Sequence, residues 1–281
     1  MEDLKGKYIT VTGATGGLGA EICKSFAKSG ANLNLLVRNK GKCEKLVQKL
    51  KKLSPEIDVN VVITDFSSME SVKAAAEKLS QCKNDVVILN AGIYCEDTYV
   101  TDSGYNNIFQ VNFLSQYYLL RKLLDNGAKI EKAVAVGSLA HRWARFDGND
   151  IDYSGKGYNK VYGNSKRFLT FSFFDLADKY KDTEFCVAHP GVSPTALITH
   201  FKGFWGKVAS FFVKILFPPP IRAKRSIVYG VRNGCGAFRW IGPWIFGIYG
   251  RPVKRKLGKT KDYEDIVSVA GGIYKKVSEK F

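Results

Sequence analysis

Short apolar runs that alternate with longer amphipathic stretches constrain the fold of this 281-residue chain more than any other feature. The runs are "YITVT" (8–12), "ANLNLLV" (31–37), "VNVVIT" (59–64), "DVVILN" (85–90), "KAVAVGS" (132–138) and "EFCVAHP" (184–190). Strands that are apolar along their whole length need cover on both faces, and helices between them supply it. The expected class is α/β: a Rossmann-type doubly wound parallel sheet in a three-layer α/β/α sandwich. No repeat, low-complexity segment or linker divides the chain, so residues 1–281 read as a single domain. The "PPP" at 218–220 is expected to end a helix. The tail from Gly250 reads as a basic loop followed by a final helix.

Several function classes fall away on composition. No window approaches about eighteen uninterrupted apolar residues, and "MEDLKGKYITVTG" lacks the basic, apolar, small-residue order of a signal peptide, so a cytoplasmic protein is expected. The six cysteines show no metal-ligand spacing and read as reduced structural thiols. His141, His189 and His200 lack ligand spacing too, and no metal is expected. A net charge of +17 favours polyanionic partners, namely a phosphorylated cofactor, nucleic acid or an anionic membrane. No nucleic-acid motif with interleaved aromatics is present, which removes the second. Residues 201–217 place Phe201, Phe204, Trp205, Val208, Phe211, Phe212, Ile215 and Leu216 at helical spacing. This apolar segment around 196–220 reads first as a substrate lid or core-packing helix, then as a dimer interface or a membrane contact.

Three constellations carry chemistry. After the first strand, "TGATGGLG" sets Gly13, Gly17 and Gly19 before an amphipathic helix, with Thr15 and Leu18 inside the turn. Glycines let a backbone approach a ligand closely, and the free N–H groups of the helix start can receive a pyrophosphate. The spacing is GxxxGxG rather than GxGxxG, so its place in a βαβ unit carries the reading. At the end of the second strand stands Arg38, where a carboxylate would suit a ribose 2′-hydroxyl; an arginine pairs a 2′-phosphate, which predicts NADP(H), with Lys40 as a helper. Tyr162 and Lys166 lie four apart on an expected helix, hence on one face. That spacing alone is common on exposed helices.

Taken in register, "TGATGGLG", "NAG" (90–92), Asn112 in "VNFLS", Ser138 in "VGSLAH", Tyr162 and Lys166 in "YGNSK", and "HPGVSPT" (189–195) resemble the short-chain dehydrogenase/reductase family over nearly the whole chain. The segment between Ser138 and Lys166 is similar to the retinol dehydrogenase and WW-domain oxidoreductase branch. The resemblance implies that Gly13, Thr15, Gly17, Leu18, Gly19, Asp65, Asn90, Ala91, Gly92, Pro190, Gly191 and Thr195 bind the cofactor. Within that set Asp65 would meet the adenine, Asn90 the adenosine ribose, and Pro190, Gly191 and Thr195 the nicotinamide. It also implies a tetrad of Asn112, Ser138, Tyr162 and Lys166, in which Ser138 positions the substrate oxygen and Asn112 holds a proton-relaying water. Gly137, where the branch often has a serine, and Pro194 and Ala196 beside Thr195 are departures on the substrate side.

The tetrad has a physical logic of its own. Reducing a carbonyl needs a hydride on carbon and a proton on oxygen, so an acid must reach that oxygen. A cation about 4 Å from a phenol favours the phenolate by roughly 4 kcal/mol at an effective dielectric of about 20, or about three pKa units. Lys166 would thus bring Tyr162 toward neutrality and, by the resemblance, bond the nicotinamide ribose. His141 reads as structural. The expected function is an NADP(H)-dependent oxidoreductase interconverting a lipophilic carbonyl (ketone or aldehyde) and its alcohol, and the resemblance implies a homodimer or tetramer. An NADP(H)-sensing module with vestigial chemistry is the alternative.

Overall fold

The computed structural model describes residues 4–94, 97–148, 150–153, 155–191, 220–236 and 238–281. The sequence readings made for the 201–217 segment and for Thr195, Pro194, Ala196 and His200 lie outside them.

All six expected strands form: β1 (Tyr8–Thr12), β2 (Asn32–Val37), β3 (Val59–Ile63), β4 (Val86–Leu89), β5 (Lys132–Val136) and β6 (Glu184–Ala188). They pair in parallel in the order β3-β2-β1-β4-β5-β6. Helices α1 (Gly17–Ala27), α2 (Lys40–Leu53) and α7 (Pro220–Asn233) lie on one face over a core containing Ile22, Phe26, Leu46, Leu50 and Ile227. The other face carries α3 (Met69–Ser80), α5 (Ser115–Asp125), α6 (Tyr158–Lys179) and α8 (Tyr263–Lys280), over a core rich in aromatic rings such as Phe109, Phe113, Phe168 and Tyr117. The three-layer sandwich follows from these two separate cores. α5 is entered through a short helical turn α4 (Asn107–Phe109) and a π-helical turn Gln110–Leu114. Strand order reverses between β1 and β4, so the chain parts there and leaves a crevice at the strands' carboxyl ends.

One reading needs correction. The segment expected as a basic loop is strand β8 (Tyr249–Lys256), paired antiparallel to β7 (Arg239–Ile245), which extends the sheet to eight strands. Pro243 and Pro252 hide both strands from a sequence reading, because proline cannot donate to a ladder. They stand opposite one another, past the point where β6 stops pairing with β7 at Ile241, so neither missing N–H leaves a partner strand unsatisfied. The lysines and arginines of β8 suit an edge strand, where charge discourages further pairing. The last residue of the proline run opens a helix, Pro220 being the first residue of α7, a position whose N–H has no helical partner anyway, while the expectation that the run ends a preceding helix lies outside the described residues.

Candidate functional site

A cleft of about 560 Å³ runs along the crevice, and nearly every described residue singled out above lines it: Gly13, Thr15, Gly17, Leu18, Gly19, Arg38, Asp65, Asn90, Ala91, Gly92, Ser138, Tyr162, Lys166, Pro190 and Gly191. Its charged lining consists of Arg38, Lys42 and Lys166 against Asp65, so the cleft is electropositive. Lys42 stands in it where Lys40 was expected. The difference is local: Asn39 caps α2 by accepting from the Lys42 N–H at 2.8 Å, and the cleft is lined by Arg38, Asn39 and Lys42.

The glycine turn is shaped by close approach. Gly13 has φ +63°, and a Cβ on it would come within 2.9 Å of the Ala91 Cα. A Cβ on Gly19 would fall 2.4 Å from the Gly13 carbonyl oxygen and 2.9 Å from Asn90 Nδ2. That amide explains Asn90 in part: it donates to the carbonyls of Thr12 (2.9 Å) and Gly13 (3.2 Å), so its side chain braces the turn while its edge faces the cleft. Asp65 accepts from Ser67 through both N–H (2.9 Å) and hydroxyl (2.6 Å), which fixes the carboxylate at the cleft wall.

At the other end, α6 carries Tyr162 and Lys166 on one face, with the ammonium 6.0 Å from the centre of the phenol ring. Lys166 is 4% exposed and donates to the Val136 carbonyl at 3.0 Å. Burial pushes its ammonium down to about 8. Ser138 caps the turn of 3-10 helix Leu139–Arg142 that follows β5, its Oγ accepting from the Ala140 N–H at 3.3 Å. A second tyrosine, Tyr94, packs edge-on against Tyr162 with ring centres 4.8 Å apart, and its hydroxyl donates to Asn159 at 2.7 Å.

Asn112 lies in the π-helical turn, where the widened spacing is a frequent mark of a functional segment. Its side chain accepts from the Ile93 N–H (2.7 Å) and donates to the Ile93 carbonyl (3.0 Å) and Ser165 Oγ (3.2 Å). Gly92 permits this convergence, since a Cβ there would lie 3.2 Å from Asn112 Oδ1 and 3.6 Å from Lys166 Nζ. Supporting polar residues escaped the sequence reading. Thr12 Oγ1 accepts from the N–H groups of Asn90 and Ala91, both at 2.8 Å, and donates to Gln116. Gln116 in turn donates to the carbonyls of Ala91 (2.7 Å) and Asn112 (3.1 Å). Its place four residues after Asn112 was the available signal.

On the substrate side the one described departure, Gly137, has a steric explanation, and the neighbouring Gly191 loop is fixed through a histidine tautomer. A side chain at Gly137 would meet Val187 Cγ1 at 2.8 Å. Gly191 takes φ +89° and donates to His189 Nδ1 at 3.3 Å, which leaves the His189 proton on Nε2, where it donates to the Gly247 carbonyl at 2.7 Å. Burial holds His189 neutral, down to about 4. The β7–β8 turn thereby anchors the Pro190–Gly191 loop. His141 is buried and stays outside the cleft lining; Arg167 grips its carbonyl at 2.9 Å while pairing with Asp262 at the start of α8. Among the described residues no cluster of histidine, cysteine and acidic side chains could hold a metal.

The family model for short chain dehydrogenase matches residues 7–202. The short chain dehydrogenase resG of Aspergillus sclerotiorum is 40% identical over 159 residues, covering 51% of this chain and 44% of that protein. Human retinol dehydrogenase 13 is 28% identical over 205 residues, covering 70% of this chain and 62% of its own length. The chain thus spans about half to three fifths of these relatives. Among solved structures, an uncharacterized protein from Mycobacterium Paratuberculosis superposes with a TM-score of 0.74 at 22% identity, covering 99% of this chain and 96% of that one. L-Sorbose reductase from Gluconobacter frateurii, complexed with NADPH and L-sorbose, gives 0.63 at 19% identity, covering 83% and 93%. These two likenesses establish the shared fold.

Proposed function

The chain belongs to the short-chain dehydrogenase family, and we propose that it interconverts a lipophilic ketone or aldehyde and its alcohol with NADP(H). The observation that carries this reading is one cleft lined by the glycine turn at one end and by Ser138, Tyr162 and Lys166 at the other. Such a cleft brings a phosphate-receiving helix start and a proton donor within reach of a single extended cofactor.

The residues present fit that cofactor. Gly13 and Gly19 leave the backbone bare where a Cβ would collide, and Arg38 with Lys42 offers cationic donors to a 2′-phosphate. The NADPH complex of L-sorbose reductase is in keeping with this choice. Bound NADP(H) supplies the hydride to the carbonyl carbon, or takes it back from the alcohol. In the reducing direction Tyr162 gives its hydroxyl proton to the carbonyl oxygen and becomes phenolate, while Ser138 Oγ hydrogen-bonds the same oxygen. Lys166 holds a positive charge beside the phenol and makes that proton loss easier. Asn112, fixed to Ile93 and Ser165, shapes the wall behind Lys166. The lipophilic substrate rests on the apolar sequence of 201–217 and on the similarity to a retinol dehydrogenase.

The test is NADPH oxidation against a panel of aldehydes and ketones, with Tyr162→Phe beside the wild type. Turnover of lipophilic carbonyls by the wild type, lost in the variant with NADPH binding retained, is expected. Binding of NADPH without reduction of any carbonyl would replace this reading with a sensor, and faster turnover of small polar carbonyls would overturn the substrate class.

A further inference from the structure

The β7–β8 turn puts apolar side chains where solvent should be. Phe246 is 87% exposed, Trp244 59% and Ile245 44%, with Tyr249 at the far side of the turn. Ile248 N–H closes the turn on the Ile245 carbonyl at 2.8 Å, with Phe246 at φ +49° and Gly247 at φ +73°. Two successive left-handed residues make a tight hairpin turn, for which asparagine, aspartate or glycine is the undemanding first residue. A phenylalanine there gains nothing in backbone conformation and nothing in burial. Its presence points to a medium other than water around the tip.

Arginines stand around the base of the tip. Arg222 and Arg225 share a small cavity with Pro243, Ile248, Tyr249 and Gly250, Arg251 is exposed, and Arg255 donates to the Trp244 carbonyl. From Phe185 to Lys261 the sequence holds no aspartate or glutamate at all, against fourteen lysines and arginines. An aromatic and aliphatic point set in a collar of arginines matches a bilayer interface, in which rings and aliphatic groups sit among headgroups and acyl chains while cations meet anionic phosphates. A nucleic acid would match the collar alone.

We propose that the β7–β8 hairpin is a membrane-docking element that inserts Trp244, Ile245 and Phe246 into an anionic lipid surface, with Arg222, Arg225, Arg251 and Arg255 on the headgroups. The site stands on this surface alone, whatever the cleft turns over. The same hairpin braces Gly191 through Gly247 and His189, so docking by the tip sets the mouth of the cleft beside the lipid.

The experiment is co-sedimentation of the full chain with phosphatidylcholine vesicles prepared with and without phosphatidylserine. Wild type is expected to bind the phosphatidylserine vesicles and to be released by salt. Phe246→Asn suits the left-handed turn, so it keeps or raises the unfolding midpoint while weakening vesicle binding about tenfold or more. Arg251→Gln should weaken binding to anionic vesicles and flatten the salt dependence. Four results overturn the proposal: no vesicle binding by the wild type, equal binding with and without phosphatidylserine, Phe246→Asn binding like the wild type, or vesicle-free self-association that Phe246→Asn abolishes. The last would assign the tip to a second copy of the chain.

Discussion

Replacing Lys166 by methionine should stabilise the cofactor-free protein at neutral pH while removing its proposed activity. The ammonium is 4% exposed and bonded to one carbonyl, that of Val136, and burial lowers its pKa from 10.5 to about 8. Two and a half decades of proton affinity at about 1.4 kcal/mol each put the cost of holding the charge at about 3 kcal/mol. The unfolded chain binds more protons than the native one between the two values, so this residue's contribution to stability is greatest above about pH 10.5, shrinks as pH falls, and is lowest at and below about pH 8. Methionine fills a similar volume without charge, although it leaves the Val136 oxygen short of a donor, a loss of about 1 kcal/mol. A net gain of about 2 kcal/mol is expected near pH 7, falling by about 1.4 kcal/mol near pH 9. Denaturant unfolding of both proteins at the two pH values reads this directly, and the subtraction removes every other titrating group. A variant less stable than wild type near pH 7, or a difference that does not change with pH, would refute the reasoning.

Three further substitutions probe the cleft. Gly19→Ala sets a methyl 2.4 Å from a backbone oxygen that the turn cannot move, so a loss of about 1–3 kcal/mol in thermal unfolding and weaker NADPH binding are expected; an unchanged midpoint would show that the turn gives way. Arg38→Gln removes a charge-assisted bond worth about 1.5–3 kcal/mol, which raises the NADPH Kd about 10- to 100-fold in fluorescence titration and leaves NADH within about twofold; a wild-type preference for NADH would sink the assignment. Gly137→Ser brings a Cβ to 2.8 Å from Val187 Cγ1 and should cost about 1–3 kcal/mol, while Val187→Ala in the same chain should recover much of it; without recovery the collision is not the cause.

What could be read ahead of the structure divides along physical lines. The inner parallel strands announced themselves because strands buried on both faces leave no polar alternation, as the fully buried Val86–Leu89 and Lys132–Val136 show, while the largely uncovered edge strand β3 is marked by its valines and isoleucine. β7 and β8 did not, because each carries a proline and β8 is largely exposed, so neither period nor composition marks them. Only pairing across the hairpin, together with the two-residue reach to β6 at Trp240 and Ile241, makes them strands. Tertiary context decided where local propensity was silent.

The cleft shows the same division at the level of side chains. Tyr162, Lys166, Ser138 and the glycines are recognisable because their proposed chemistry demands one residue type at one spacing. Thr12, Gln116 and Ser165 are commonplace polar residues, and nothing in their types separates them from solvated ones. Yet they connect the two ends of the cleft: Thr12 holds the Asn90–Ala91 backbone and Gln116, Gln116 holds Ala91 and Asn112, Asn112 reaches Ser165, and Ser165 donates to the Tyr162 carbonyl at 2.8 Å. Apart from the part-buried bonds of the Asn90 N–H to Thr12 and of Ser165 to the Tyr162 carbonyl, every link is buried, so losing one leaves its neighbours unsatisfied in a low-dielectric interior. The glycine turn and the tyrosine helix are therefore joined through Thr12, Gln116 and Ser165, which lie behind the cleft lining and would hold its two ends at the separation the proposed dinucleotide spans.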